Sequence, residues 1–219
     1  MACNIFINHF SLYALYKNNL LEEVLEQSDT IYCDGILLVK QLNYLLGWNI
    51  KRYSFDWSSI ADKTICTYES EGGITFWGGS EHDAKQFTRW IKDKLNVSRV
   101  KCFNGFSSSL NEIISHIQNE QPKAIVIGRG SPIQEIDAIT LKKLGIDTYT
   151  CGGFITQVGN FGDIYGGVYS KLPRWLIRII RQPYVIKRVF YTYPISILLV
   201  FKLHKLIKAN GEKFRDFRL

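Results

Sequence analysis

The stretch Ala124-Ile125-Val126-Ile127-Gly128-Arg129-Gly130-Ser131-Pro132-Ile133-Gln134-Glu135 runs four apolar residues into two glycines, a proline and two polar side chains. The apolar run reads as a short buried strand, the glycines as a turn, and Ile136 to Leu144 as a continuing helix. Such a corner can hold phosphate, hold a dinucleotide, or hold nothing. The phosphate loop needs Lys and then Ser or Thr after its last glycine, and neither is present. The dinucleotide fingerprint needs a third glycine where Ile133 stands. What remains is a tight turn with backbone N–H groups at a helix N-terminus, which suits an anion. Gln134 adds a side chain that both donates and accepts hydrogen bonds. An ordinary turn explains the glycines equally well.

Other reactive residue types are sparse. Asp34 follows the apolar run Thr30–Cys33 and precedes Gly35 and an apolar helix, a position equally suited to a helix N-cap. No Asp-x-Asp pair for a metal is present, and His9, His82, His116 and His204 form no ligand pattern. The five cysteines are scattered without C-x-x-C spacing, so neither a zinc site nor a disulfide framework is signalled, which suits a reducing cytoplasm. The N-terminus lacks the basic and apolar regions of a secretory signal.

The elements that position these residues alternate. Residues 4–8, 74–77, 99–103, 124–128 and 147–151 read as strands, and 11–27, 36–46, 81–95, 107–119 and 134–144 as helices. This order predicts an α/β domain with a largely parallel sheet. Glycines follow several strands, at Gly78-Gly79, Gly128-x-Gly130 and Gly152-Gly153, where open α/β sheets usually bind ligands.

Charge divides the chain. The net charge is +7, yet no acidic residue occurs between Ile164 and Gly211, which hold nine of the 27 Lys and Arg. The remainder carries 18 basic against 20 acidic residues, so the positive charge belongs to the C-terminal end. We divide the chain at 1–165, an α/β core, and 166–219, a basic amphipathic helical appendage. Aromatic and aliphatic residues interleave with the appendage charges, as in an interfacial segment, and this argues against nucleic acid. Its most apolar run, 193–201, is much shorter than the roughly 20 residues of a spanning helix, and Pro183 and Pro194 are expected to interrupt any longer one.

Five stretches in order resemble the WecG/TagA/CpsF family of bacterial glycosyltransferases. "CDGILLV" resembles the family's Pro-Asp-Gly-Ile motif, with Cys33 in the proline position, and "RGSPIQE" its Gly-x-Pro-x-Gln-Glu motif. "ITFWGGS" and "CGGFITQVG" resemble two Gly-Gly elements. "RWLIRIIRQPYVIKR" is similar to the Trp-x-x-Arg-x-x-x-x-Pro stretch that opens the family's appendage. The family's Arg-x-x-Gly-x-Asp segment appears as "KRYSFD", with Arg52 or Lys51 as the cation. Asn8 is the polar residue nearest the position of a family threonine, and Arg174 stands where a glutamate often precedes the tryptophan.

The resemblance implies a Rossmann-like core and inverting transfer of a sugar from a UDP-sugar to a polyprenyl-diphosphate-linked sugar, without metal or other cofactor. It makes Asp34 the catalytic base and places Asn8, Arg52, Gly128, Gly130, Gln134, Gly152 and Gly153 against substrate. Arg178, Arg181 and Arg188 of the appendage would meet the lipid diphosphate, since guanidinium forks suit diphosphate oxygens. The protein would then lie peripherally on the cytoplasmic face of the membrane, against anionic lipid. A homo-oligomer is compatible with this reading. The second reading is a non-catalytic accessory protein of the same fold.

Overall fold

The computed structural model describes residues 1–163, 174–181 and 183–210. Some side chains within α3, α9 and α10, those of Arg178 and Arg188 among them, lie outside the described residues, as does the expected 165/166 division. The chain begins β1 (Cys3–Ile7), α1 (His9–Lys17), α2 (Leu21–Gln27), β2 (Thr30–Cys33), α3 (Ile36–Leu46) and α4 (Ala61–Glu71). It continues β3 (Ile74–Gly78), α5 (Glu81–Leu95), β4 (Val100–Phe103), α6 (Leu110–Glu120), β5 (Ala124–Gly128) and α7 (Ile133–Lys142). β6 (Asp147–Thr150), α8 (Phe154–Phe161), α9 (Arg174–Arg181) and α10 (Tyr184–Asn210) follow.

The six strands form one parallel sheet in the order β2-β1-β6-β5-β3-β4, flanked by helices on both faces. This is the α/β architecture with a parallel sheet that the sequence pattern predicts, and the Rossmann-like core that the family resemblance implies. Alternate strand residues point to opposite faces. Ile5, Ile7, Ile31, Cys33, Ile125 and Ile127 join one apolar cluster with α1, α2, α3, α6, α7 and α10. Phe6, Tyr32, Phe76, Val126 and Tyr149 join the other, with α4, α5 and α8.

The expected helix over 11–27 is two helices. Asn19 adopts φ 57°, and the Leu20 N–H donates to Leu15 O, so α1 closes before α2 begins. Asparagine tolerates that left-handed conformation better than most residues. α4 was not legible among polar residues, nor α8 within a glycine-marked stretch.

Pro194 corrects another expectation, because it lies inside the 27-residue α10 without ending it. Proline in a helix interior costs about 3 kcal/mol. Burial offsets this: Leu199, Val200 and Leu203 pack into the core cluster shared with α1 and α3. Fully burying one such side chain contributes about 1.5–3 kcal/mol. Ser196 is completely enclosed and its hydroxyl lies 3.1 Å from His9 Nδ1. His9 is thus a buried tie between α1 and α10. Among the described residues no helix is long and apolar enough to cross a membrane.

The connections place a crevice at the carboxyl edge. The chain leaves β1 and β5 toward one face, into α1 and α7, but leaves β6 toward the other, into α8. Ligands in open α/β sheets bind where neighbouring strands part in this way. The β1–β6 ladder pairs only Cys3 with Thr148 and Asn4 with Tyr149. Beyond it the Phe6 N–H donates to the Thr150 side-chain oxygen at 2.9 Å, a substitute for a ladder bond.

Candidate active site

Asp34 sits where β2 ends, beside the end of β1, and its N–H donates to Ile7 O at 2.7 Å. The N-cap position of α3 falls on Gly35, whose φ of 152° a side chain would strain. A methyl at Gly35 would meet Asn8 Cβ at 3.7 Å, so the ends of β1 and β2 share one small space. Asn8 is itself the N-cap of α1. Its Oδ1 accepts from the N–H groups of Phe10 and Ser11, and its own N–H donates to Ser11 Oγ. With Oδ1 engaged, a substrate contact by Asn8 falls to its amide nitrogen.

The segment after α3 returns to the same edge. Tyr53 N–H donates to Cys33 O at 3.0 Å, which seats Arg52 next to Asp34. Arg52 Nη2 lies 2.9 Å from Asp34 Oδ1, 2.9 Å from Ser54 Oγ and 3.4 Å from Asp56 Oδ2. Arg52 is therefore the cation that faces Asp34, while Lys51 is exposed. Burial alone would lower the Arg52 pKa, but Asp34 and Asp56 outweigh it and the shift is upward. Asp56 is the anchor: it accepts from Ser54 Oγ at 2.6 Å, from Ser58 N at 2.9 Å and from the Ser58 hydroxyl. Ser54 and Asp56 carried no sequence signal beyond the blurred Arg-x-x-Gly-x-Asp segment.

The opening corner lies across the crevice. β2 and β5 are three strand positions apart, about 14 Å at ordinary strand spacing. Gly128 is needed for packing, since a methyl there would come within 2.8 Å of Gly152 O. Gly130 (φ 81°) and Gly152 (φ 56°) are left-handed, with nothing within 4 Å of an added methyl, so the turns carrying them border open space. Gly153 is the N-cap of α8. Arg129 is clamped: Nη1 to Asp137 Oδ2 at 2.7 Å, Nε to Gly105 O at 2.9 Å, and the guanidinium 4.1 Å from the Trp77 ring centre.

Gln134 and Glu135 open α7 and are almost completely enclosed. Glu135 Oε1 accepts from Ser131 Oγ at 2.6 Å and from Gln134 Nε2 at 3.0 Å. Burial pushes the Glu135 carboxyl upward, against the pull of those two hydrogen bonds. Gln134 Oε1 and Glu135 Oε2 are buried without a protein partner. Each such orphan costs about 1–3 kcal/mol, so two side by side are not a neutral packing choice.

A third polar cluster joins α5 to α8. Asp83 caps α5 through Ser80 and accepts from Thr156 Oγ1 at 3.1 Å and Asn160 Nδ2 at 2.8 Å. The Asn160 amide also donates to Thr156 O at 2.8 Å, so these bonds tie α8 to α5 beside the crevice. Of the appendage arginines, Arg181 lies 4.9 Å from the Phe161 ring centre, while the side chains of Arg178 and Arg188 lie outside the described residues. Among the described residues no group of three His, Cys, Asp or Glu could hold a metal ion.

A parallel sheet, a crevice beside β6 and a carboxylate held by an arginine at its edge give a candidate site, and comparison with known proteins gives its family. The chain belongs to the glycosyl transferase WecG/TagA/CpsF family, whose profile matches residues 2–210. It is also similar to the UDP-Gal:alpha-D-GlcNAc-diphosphoundecaprenol beta-1,4-galactosyltransferase of Shigella boydii. The two are 36% identical over 200 residues, 86% of this chain and 81% of that enzyme.

Proposed function

We propose that this glycosyltransferase moves a hexose, with inversion and without a metal, from a UDP-sugar onto a polyprenyl-diphosphate-linked saccharide in bacterial surface polysaccharide synthesis. The observation that carries the reading is the Asp34–Arg52 pair at the carboxyl edge. The relative's name supports the substrate classes: a UDP-hexose donor and a sugar on diphosphoundecaprenol as acceptor. Making a β-linkage from an α-linked nucleotide sugar inverts the anomeric centre.

In this reading Asp34 accepts the proton of the acceptor hydroxyl as its oxygen attacks the anomeric carbon. The bond from that carbon to the UDP oxygen breaks, and its electron pair leaves with the β-phosphate. Arg52 holds the carboxylate in place. Its three contacts use one nitrogen, Nη2, and the proposal gives the rest of the fork to the diphosphate, whose growing charge needs cations or N–H donors. Gln134 and the open turns at Gly130 and Gly152–Gly153 receive the donor across the crevice.

The appendage brings the enzyme to the cytoplasmic face of the membrane. α10 exposes Phe190, Tyr191, Leu198 and Phe201 beside exposed Lys202 and Lys205. Apolar burial and about 1 kcal/mol per cation near anionic lipid suffice for peripheral attachment. Arg178, Arg181 and Arg188 are assigned to the lipid diphosphate. The test is a donor panel: purified protein, several UDP-hexoses, and a polyprenyl-diphosphate-N-acetylhexosamine mimic. Transfer from at least one UDP-hexose is expected. Binding of UDP-hexoses without transfer to any lipid-linked acceptor would favour the accessory role instead.

A further inference from the structure

The glutamate that follows Gln134 has no part of its own in the reaction described above, yet it is wholly enclosed at the same corner and holds the Gln134 amide nitrogen at 3.0 Å. We propose that Glu135 is a positioning residue. It fixes the Gln134 amide with its nitrogen turned inward, so that the carbonyl oxygen is kept for a hydrogen-bond donor of the nucleotide sugar. That donor is a hydroxyl of the transferred sugar or the imide N–H of uracil. The inference rests on the UDP-sugar reading of the site.

The orientation of the amide follows from chemistry. An ionised Glu135 is acceptor-only: its Oε1 accepts the Ser131 hydroxyl at 2.6 Å and the Gln134 amide nitrogen at 3.0 Å, where the amide carbonyl would face oxygen with oxygen. Gln134 Oε1 is then left buried without a partner, and Glu135 Oε2 is a second orphaned acceptor beside it.

Three of the groups that could serve an anion beside Gln134 are taken or missing. Pro132 has no N–H, the Gln134 N–H donates to Gly130 O at 3.1 Å, and Arg129 is held by Asp137 and Gly105. A diphosphate brings only further acceptors, whereas a hydroxyl or imide brings the missing proton. A small shift of the turn at Gly130, which has open space around it, admits that group.

The experiment measures KM for the UDP-hexose and affinity for UDP and N3-methyl-UDP. It uses the wild type, Gln134→Ala, Glu135→Gln, Glu135→Ala and the double alanine variant, each checked for its melting transition. Loss of one hydrogen bond in this setting corresponds to about tenfold. Glu135→Ala and Gln134→Ala should each raise KM by about that factor, and the double variant should be no worse than Gln134→Ala alone. Glu135→Gln, which still offers Gln134 an acceptor, should stay near wild type. If the uracil imide is the donor, N3-methyl-UDP binds the wild type weakly and UDP loses affinity in the alanine variants. If a sugar hydroxyl is, UDP binding is unchanged and only the UDP-hexose is affected.

Additive effects of the two alanine substitutions would overturn the positioning role. Unchanged UDP and UDP-hexose affinity in Gln134→Ala would overturn it too, even if Glu135→Ala fails to fold. A wild type that binds no UDP-sugar would instead sink the functional reading beneath it.

Discussion

Arg52 Nη2 lies 2.9 Å from Asp34 Oδ1 and 3.4 Å from Asp56 Oδ2, so one guanidinium joins the outer carboxylate of the site to a buried one. Removing the cation leaves two carboxylates without it, and Asp34 loses the partner that orients it. Arg52→Ala should lower turnover by roughly two to three orders of magnitude, the ~2.7–4 kcal/mol seen when a transition-state donor is lost. Arg52→Lys keeps the charge but not the fork and should recover part of that loss. Steady-state kinetics of the two variants check this, and equal activity in Arg52→Ala and wild type would remove Arg52 from the mechanism.

Chelation tests the metal-free step. Treating the purified enzyme with a strong chelator should leave transfer within experimental error of the untreated rate. Activity that disappears and returns with manganese would show that a metal carries the UDP charge.

The appendage needs surgery finer than truncation. α10 supplies Leu199, Val200 and Leu203 to the core, so deleting it would uncover α1 and confuse folding with membrane binding. Replacing the exposed Phe190, Tyr191, Leu198 and Phe201 by serine leaves that buried face intact. The fourfold variant should fold normally yet fail to sediment with anionic liposomes. Sedimentation equal to wild type would place membrane contact elsewhere.

His9 makes α10 docking sensitive to pH. Burial holds the His9 pKa below its ordinary 6.5, and its Nε2 is buried without a partner. Below that value the unfolded chain binds the proton more readily than the folded one, so stability is full above about pH 6.5 and falls as pH drops through the window beneath it. Melting temperature should decline on acidification, and His9→Gln should flatten the decline. Identical slopes for the two proteins would assign it to other groups.

Much of this was legible in the sequence. The strand alternation gave the parallel sheet, because buried parallel strands are short apolar runs bounded by turns. Asp34 and Gln134 stood at strand ends and in recognisable motifs. What failed did so for tertiary reasons. Nothing local says that Tyr53 lies along the end of β2, yet that contact puts Arg52 rather than Lys51 beside Asp34. Pro194 reads as a helix breaker until the buried face around Ser196 and Leu199 is seen. Asp83 and Asn160, which meet across α5 and α8, are 77 residues apart. Gly128 reads as a turn glycine in the sequence, and only the fold shows that the carbonyl of Gly152 excludes a side chain there.

Asp34 is the residue on which the proposed transfer depends most directly. Transfer to a polyprenyl-diphosphate-sugar mimic should be timed for wild type and Asp34→Asn, with the product's anomeric configuration read from its proton coupling. The wild type should give an inverted product. The asparagine variant, still folded and still binding UDP, should be slower by roughly 10²–10⁴. An asparagine variant that transfers at the wild-type rate, or a wild-type product with retained configuration, would contradict this mechanism.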